Sequence, residues 1–347
     1  MTPTLMSTDS TSGPLFVVGI WRSGTSLLYT LLNQHPQIAL LYEGELSVMR
    51  PLFSSGRAKR DWIERWDFWN QGPSRHGIDG SGIPPGLDIR SATEAVCKQY
   101  ADRKGASIWG CKSPQYYDCL PQLAGEFPNA KFIAIWRDPT AICRSIVRAA
   151  ARSHYFARRG MILRALLGVE ELKRGCDQLI RQGTRVHQLH YEDLVRDPAA
   201  EMTAICRFLE IPFDSRMLSL EDADRSAIYV SEHHSLVNGK GIVSSARRPE
   251  ALSPSAKRKI QRYIRLWKDR SGGTWPVHPE QLDSNVGTPG GFELWRDRIL
   301  FFWFARYDSL VLLIYSFLPL FILSGYRSIR DRVTPVNQFE ATSEHLP

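Results

Sequence analysis

Short apolar runs recur along the chain, each followed by a stretch whose apolar positions repeat at helical spacing. Phe16–Ile20, Ile38–Leu41 and Lys131–Trp136 are the apolar runs, and Ala106–Gly110 and Arg185–Tyr191 are further strand candidates. Their length and their β-branched content predict strands, and the continuous apolar runs among them predict strands covered on both faces. Leu27, Leu28, Leu31 and Leu32 then repeat as one face of a helix that His35-Pro36 stops. Further helices are expected over Ser91–Lys104, from Asp138-Pro139 onward, over Tyr155–Arg181, and from Asp197-Pro198 to near Ile211-Pro212. Ser253-Pro254 caps another, with Ile260, Tyr263, Ile264 and Trp267 as its buried stripe, ending at Ser271–Gly273. Strand and helix in alternation predict an α/β fold of three layers, P-loop-like, around a mostly parallel central sheet.

Two stretches break the alternation. From Arg50 to Gly86 the pattern is irregular, with Trp62, Trp66 and Trp69 at helical spacing followed by a Gly/Pro-rich run. It reads as an insertion whose tryptophans pack into the core, with an acceptor cleft as the second reading. After a Pro/Gly-rich linker the composition changes to a hydrophobic helical tail. Its apolar centre, Ser309–Leu323, is 15 residues long and contains Pro319, short of the roughly 20 that a membrane crossing takes. Arg296, Arg298 and Arg306 precede it and Arg327, Arg330 and Arg332 follow. That arrangement fits an interfacial or re-entrant anchor; a dimerisation hairpin or a pair of core helices is the other reading. The expected division is a catalytic domain over 14–273, a linker over 274–291, a membrane-associated tail over 292–332, and flexible termini at 1–13 and 333–347.

The 347 residues suit one large domain plus a tail. A formal charge of +8 suits an anionic ligand, a membrane surface or nucleic acid, and no nucleic-acid motif accompanies it. The six cysteines have no C-x-x-C spacing, which suits buried thiols in a reducing compartment. The first 13 residues are polar and carry no apolar segment of a secretion signal. The expected location is cytoplasmic, at or anchored to a membrane through the tail.

Candidate chemistry clusters where predicted strands end. Gly19–Ser26 reads G-x-x-x-x-G-T-S, one residue from the nucleotide-triphosphate motif, with Thr25 in place of the lysine that reaches β- and γ-phosphates. A loop with Arg22, Ser23, Gly24, Thr25 and Ser26 running into a helix suits a shorter 5′ anion. Glu43 and Glu45 follow the second run, and either can serve as a general base. Lys112 opens K-S-P-x-Y after the third. Arg137 ends the fourth, and Ser145 lies eight residues on, a pair able to hold one phosphate. His187 and His190 read as structural histidines, since no third metal ligand accompanies them.

The R-S-G-T-S loop resembles the 5′-phosphosulfate loop of sulfotransferases that use 3′-phosphoadenosine 5′-phosphosulfate (PAPS). Lys112–Tyr116 resembles the K-[TS]-P-x-Y segment of carbohydrate sulfotransferases, and Arg137 with Ser145 resembles the pair that binds the donor's 3′-phosphate. The Tyr191–Leu194 sequence Y-E-D-L is also typical of that family. The resemblance runs from Leu15 to Arg270. It implies transfer of a sulfuryl group from PAPS to an acceptor hydroxyl, with release of 3′-phosphoadenosine 5′-phosphate (PAP) and no metal. Arg22 and Lys112 would neutralise charge, and Glu43, placed beyond His35-Pro36 like the base of protein-tyrosine sulfotransferases, would take the proton. A basic loop containing Lys240, Arg247 and Arg248 is a candidate lid. The expected acceptor is a glycan or glycolipid, and the competing reading is a nucleoside-triphosphate kinase or NTPase.

Overall fold

Alternation within each strand decides the architecture. In β1 (Leu15–Gly19), Phe16 and Val18 join one core while Leu15 and Val17 join another. β2 (Ile38–Tyr42), β3 (Ile108–Ser113), β4 (Lys131–Trp136) and β5 (Arg185–His190) complete the sheet. Its order is β2-β3-β1-β4-β5, with every pairing parallel. A parallel sheet buried on both faces needs helices on both. This computed structural model describes residues 13–44, 46, 49–53, 56, 60–150, 154–157, 160–221, 223–228, 242, 252–271 and 287–323.

The helices sort by face. They are α1 (Thr25–Leu32), α2 (Trp62–Asn70), α3 (Ile89–Lys104), α4 (Leu120–Glu126), α5 (Pro139–Ala150), α6 (Met161–Arg181), α7 (Tyr191–Arg196), α8 (Pro198–Leu209), α9 (Pro254–Ser271) and α10 (Gly291–Phe317). Leu28, Leu31, Leu194, Met202 and Ile205 from α1, α7 and α8 cover Val17, Ile133 and Ile135. Val96, Leu123, Ile146, Leu172 and Ile264 from α3, α4, α5, α6 and α9 belong to the core over Phe16, Val18 and Phe132. The three layers and the parallel sheet are those the sequence pattern predicts.

Two details differ from expectation, and the placing of the tryptophans does not. Ala106 belongs to the end of α3, where its N–H bonds Ala101 O beyond the left-handed Gly105 (φ +64). The third strand therefore starts at Ile108 and takes in Lys112 and Ser113, both with 0% exposure. The helix expected over Tyr155–Arg181 is broken: a short turn at His154–Ala157 is separated from α6 by the left-handed Gly160. The Arg50–Gly86 stretch holds α2 and a second short helix, Gly72–His76, and buries Trp62 and Trp66 in the core.

The tail docks on this body. The Tyr263 hydroxyl of α9 donates to the buried Asp297 of α10, which also pairs with Arg296 at 2.8 Å, and Arg262 pairs with Glu293 at 2.9 Å. Further along, the Tyr315 ring sits edge-on to Phe68 and Trp69 at 5.4 and 5.6 Å, and Arg65 donates to its carbonyl. The apolar run Ser309–Phe317 is thus the last third of one helix, which stops before Pro319. Phe292, Trp295, Trp303, Leu310, Leu313, Ile314 and Phe317 are exposed. At about 100° per residue they share one stripe along α10. Among the described residues no helix is long and apolar enough to cross a membrane. Arg327, Arg330 and Arg332 lie outside the described residues.

Tyr263→Phe removes a donor from a buried carboxylate. Its unfolding free energy in urea should fall by about 1–3 kcal/mol; an unchanged midpoint would mean that α10 is not held by this contact.

Candidate active site

β1 lies between β3 and β4, so the strand order reverses around it, and the carboxyl ends of such strands are where α/β folds gather ligands. The chain leaving β1 twists through two left-handed residues, Arg22 (φ +69) and Gly24 (φ +102). Glycine tolerates that conformation, whereas Arg22 stores strain in it. Alternating handedness turns backbone N–H groups toward one concavity. α1 starts at Thr25 with no side-chain cap, so its first-turn donors face the same space. The turn is tight. A Cβ on Gly19 would lie 2.7 Å from Ser23 Oγ and 2.8 Å from Thr25 Cγ2. The Ser23 hydroxyl is buried and has no hydrogen-bond partner among the described residues, a donor that an oxyanion would satisfy.

Lys112 comes up from β3 beneath this loop. Its ammonium lies 2.8 Å from Glu43 Oε1, 3.5 Å from Ser26 Oγ and 3.6 Å from the centre of the Tyr42 ring. A fully buried lysine keeps its charge only through such partners: a carboxylate, a hydroxyl and an aromatic face. The Tyr42 hydroxyl in turn shares a 2.9 Å hydrogen bond with Ser26, and its ring meets Tyr29 edge-on at 5.0 Å. The Glu43 side chain remains 18% exposed, so this carboxylate reaches from the buried ammonium toward solvent. Thr25 holds the place of the nucleotide-triphosphate lysine, and the ammonium arrives from the neighbouring strand instead.

Arg22 points the other way. Its Nε donates to Ser145 Oγ at 2.9 Å, and Arg137 Nη1 donates to Arg22 O at 2.6 Å. The two predicted anion grips are therefore in direct contact. Arg22 also lies over the Phe156 ring at 5.7 Å, and Arg137 over the Tyr191 ring at 4.2 Å. Burial, then repulsion from Arg137, push the Arg22 guanidinium down to about 10, while Tyr42 and Tyr191 oppose the shift. Burial likewise lowers Arg137, opposed by Tyr191, Glu192 and Asp138. Two desolvated guanidiniums side by side favour any anion that settles between them.

The Y-E-D-L segment braces both loops. The Asp138 carboxylate caps α5 by accepting from Ala141 N at 2.7 Å, and its own N–H donates to Glu192 at 3.2 Å. The Tyr191 ring backs Gly24. In the sequence Tyr42 stands only just beyond the expected Ile38–Leu41 strand, and Phe156 carries no local signal. Glu45, Lys240, Arg247 and Arg248 lie outside the described residues.

A Cβ on Gly24 would come 2.4 Å from the Tyr191 ring at a φ that side chains rarely adopt. Gly24→Ala should cost about 1–3 kcal/mol of stability, and a rise in Tm on adding PAP is expected for the wild type but not for the variant. An undiminished PAP-induced rise would show that the loop does not form the anion site.

Protein-tyrosine sulfotransferase A of Caenorhabditis elegans is 27% identical over 216 residues, covering 61% of this chain and 54% of that protein. Omega-hydroxy-beta-dihydromenaquinone-9 sulfotransferase Stf3 of Mycobacterium bovis is 27% identical over 243 residues, covering 56% of this chain and 62% of that protein. The chain thus spans about half the length of the protein-tyrosine sulfotransferases it matches. Among solved structures, the sulfotransferase domain of the Synechococcus PCC 7002 olefin synthase aligns with a TM-score of 0.49 and 22% identity, over 80% of this chain and 99% of that one. The family model described as "Sulfotransferase family" matches residues 14–215, more than half of the chain, and the protein belongs to that family.

Proposed function

We propose that this chain transfers a sulfuryl group from PAPS to an acceptor hydroxyl, releasing PAP. The observation that carries the reading is the contact of Arg22, Arg137 and Ser145 beside a glycine loop whose other flank holds Lys112 and Glu43. One end of this site offers guanidiniums and a hydroxyl for a phosphate. The other offers Ser23, Ser26, the N-terminus of α1 and Lys112 for the 5′ anion. The Ser23 hydroxyl, which has no partner among the described residues, fits that use. No metal enters the reading, since fixed cations and backbone donors supply the countercharge.

In the transfer, the acceptor oxygen bonds to sulfur as the bond from sulfur to the 5′-phosphate oxygen breaks, and the electron pair leaves on PAP. Glu43 takes the acceptor proton. Lys112, between Glu43 and Ser26, balances charge on the departing oxygens. Arg22, which faces Ser145, works with Arg137 in holding the donor.

For the acceptor we favour a lipid-linked or membrane-surface sugar. The exposed apolar stripe of α10 and the net charge of +8 support docking on an anionic lipid surface. Six free cysteines support a cytoplasmic face. The name of the M. bovis relative places a hydroxylated menaquinone in that enzyme's reaction, and a lipid acceptor here is the analogous case. A tyrosine on a protein is the second reading, favoured by the name of the C. elegans relative. Radiosulfate-labelled PAPS offered with separated lipid, glycan and protein fractions should label the lipid or glycan fraction; label confined to protein would overturn the preferred acceptor.

Glu43→Gln should lower kcat by about 10²–10⁴-fold with PAP binding unchanged, and wild-type turnover would remove Glu43 as the base. Arg137→Met should weaken PAP by roughly 10–100-fold while leaving adenosine 5′-phosphate nearly unaffected. Equal losses for the two nucleotides, read by calorimetry, would remove Arg137 from the 3′-phosphate.

A further inference from the structure

Three consecutive backbone carbonyls at the end of β2 each meet a side chain from the Trp62–His76 segment. Tyr42 O lies 3.2 Å from His76 Nε2, Glu43 O accepts from Arg75 Nη2 at 3.4 Å, and Gly44 O accepts from the Trp66 indole at 2.7 Å. The same imidazole nitrogen lies 3.2 Å from Tyr42 N. From the opposite side Glu43 N donates to Lys112 O at 2.7 Å. Glu43 itself is left-handed, at φ +50. A residue with a Cβ avoids that region unless its surroundings impose it. Here bonds on both sides of the turn do so.

The segment is built to bring those donors together. Trp66 is fully buried and stacks on Trp62 at 6.2 Å. Left-handed Gln71 (φ +56) folds the chain back, and Gly72 passes so close under the indole that a Cβ there would lie 2.3 Å from it. Arg75 and His76 then follow within the same short helix. From α3, Arg103 donates to His76 O at 2.5 Å, and the His76 ring meets Tyr100 edge-on at 5.2 Å. Burial, reinforced by Arg75, pushes His76 from 6.5 down to about 3, so the ring is neutral and can serve the backbone as donor or acceptor.

We infer that Trp66, Arg75 and His76 are positioning residues for sulfuryl transfer, holding the Tyr42–Gly44 turn so that the Glu43 carboxylate stands beside Lys112. The three contacts named above are all made to the backbone of the turn, and it is through that backbone that they set the carboxylate. The inference rests on Glu43 being the base. A base set in a strained turn needs such a frame, because small misplacements of a reacting group cost large factors in rate.

The test uses Trp66→Phe, which keeps an aromatic side chain of smaller size and removes the indole N–H, and Arg75→Met, which keeps the stem. Turnover is read as label moved from radiosulfate-labelled PAPS to the fraction that the wild type labels, and PAP binding by calorimetry. Each variant should lose roughly 10–100-fold in kcat with PAP affinity unchanged, and Arg75→Lys should recover part of the loss. In a Glu43→Gln background the same changes should have no further effect, because no base remains to be placed. Wild-type kcat in both variants, an equal loss in the Glu43→Gln background, or a loss matched by weaker PAP binding would overturn the inference. Failure of the base reading shows separately, as a Glu43→Gln single variant that turns over normally with the clamp intact.

Discussion

Positive charge withdrawn from water at the carboxyl edge of one parallel sheet is the constraint around which this structure is arranged. Lys112 is fully buried, Arg137 nearly so, and Arg22 is enclosed by protein on most sides while exposing part of its edge. Each is stabilised by a different device. Lys112 has a carboxylate and the Tyr42 face, Arg137 has the Tyr191 face and a backbone carbonyl, and Arg22 has Ser145 and the Phe156 ring. Aromatic faces and neutral oxygens hold a guanidinium without cancelling its charge. Glu43, whose carboxylate pairs with Lys112, stands at the other end of the site.

The remainder of the fold supplies rigid mounts for these groups. The sheet fixes the spacing of the strand ends, and the close passages at Gly19 and Gly24 let the first loop fold tightly between Ile135, Thr25 and Tyr191. The Trp62–His76 segment frames the turn that carries Glu43. α10 packs on that segment through Tyr315 against Phe68 and Trp69, so the helix with the exposed apolar stripe and the turn with the carboxylate share α2 as a common neighbour. Contacts at α10 and geometry at Glu43 are thereby joined through packed side chains.

Much of this was legible in the sequence because local rules and the fold agree. Apolar runs gave the strands, and Asp138-Pro139 gave the start of α5, since a capping carboxylate and a proline at the first helical position act locally. The ranges of the Gly19–Ser26 loop and of Arg137 to Ser145 were readable from spacing alone. What the sequence hid was tertiary. Lys112 and Ser113 looked like loop because a lysine inside a buried strand depends on Glu43 and Tyr42, distant in sequence. The direction of the Arg22 side chain, toward Ser145 rather than Lys112, depends on its left-handed φ. The irregular Arg50–Gly86 stretch concealed its role because its work is done by indole, guanidinium and imidazole groups on another segment's backbone, which leaves no periodicity.

The central claim is that the buried cations form one site for a nucleotide bearing both a 5′ anion and a 3′-phosphate. Calorimetric titration with PAP and with ATP, each with and without Mg²⁺, tests it most directly. The account predicts that PAP binds without metal, and more tightly than Mg-ATP. Binding of Mg-ATP in preference to PAP would contradict it.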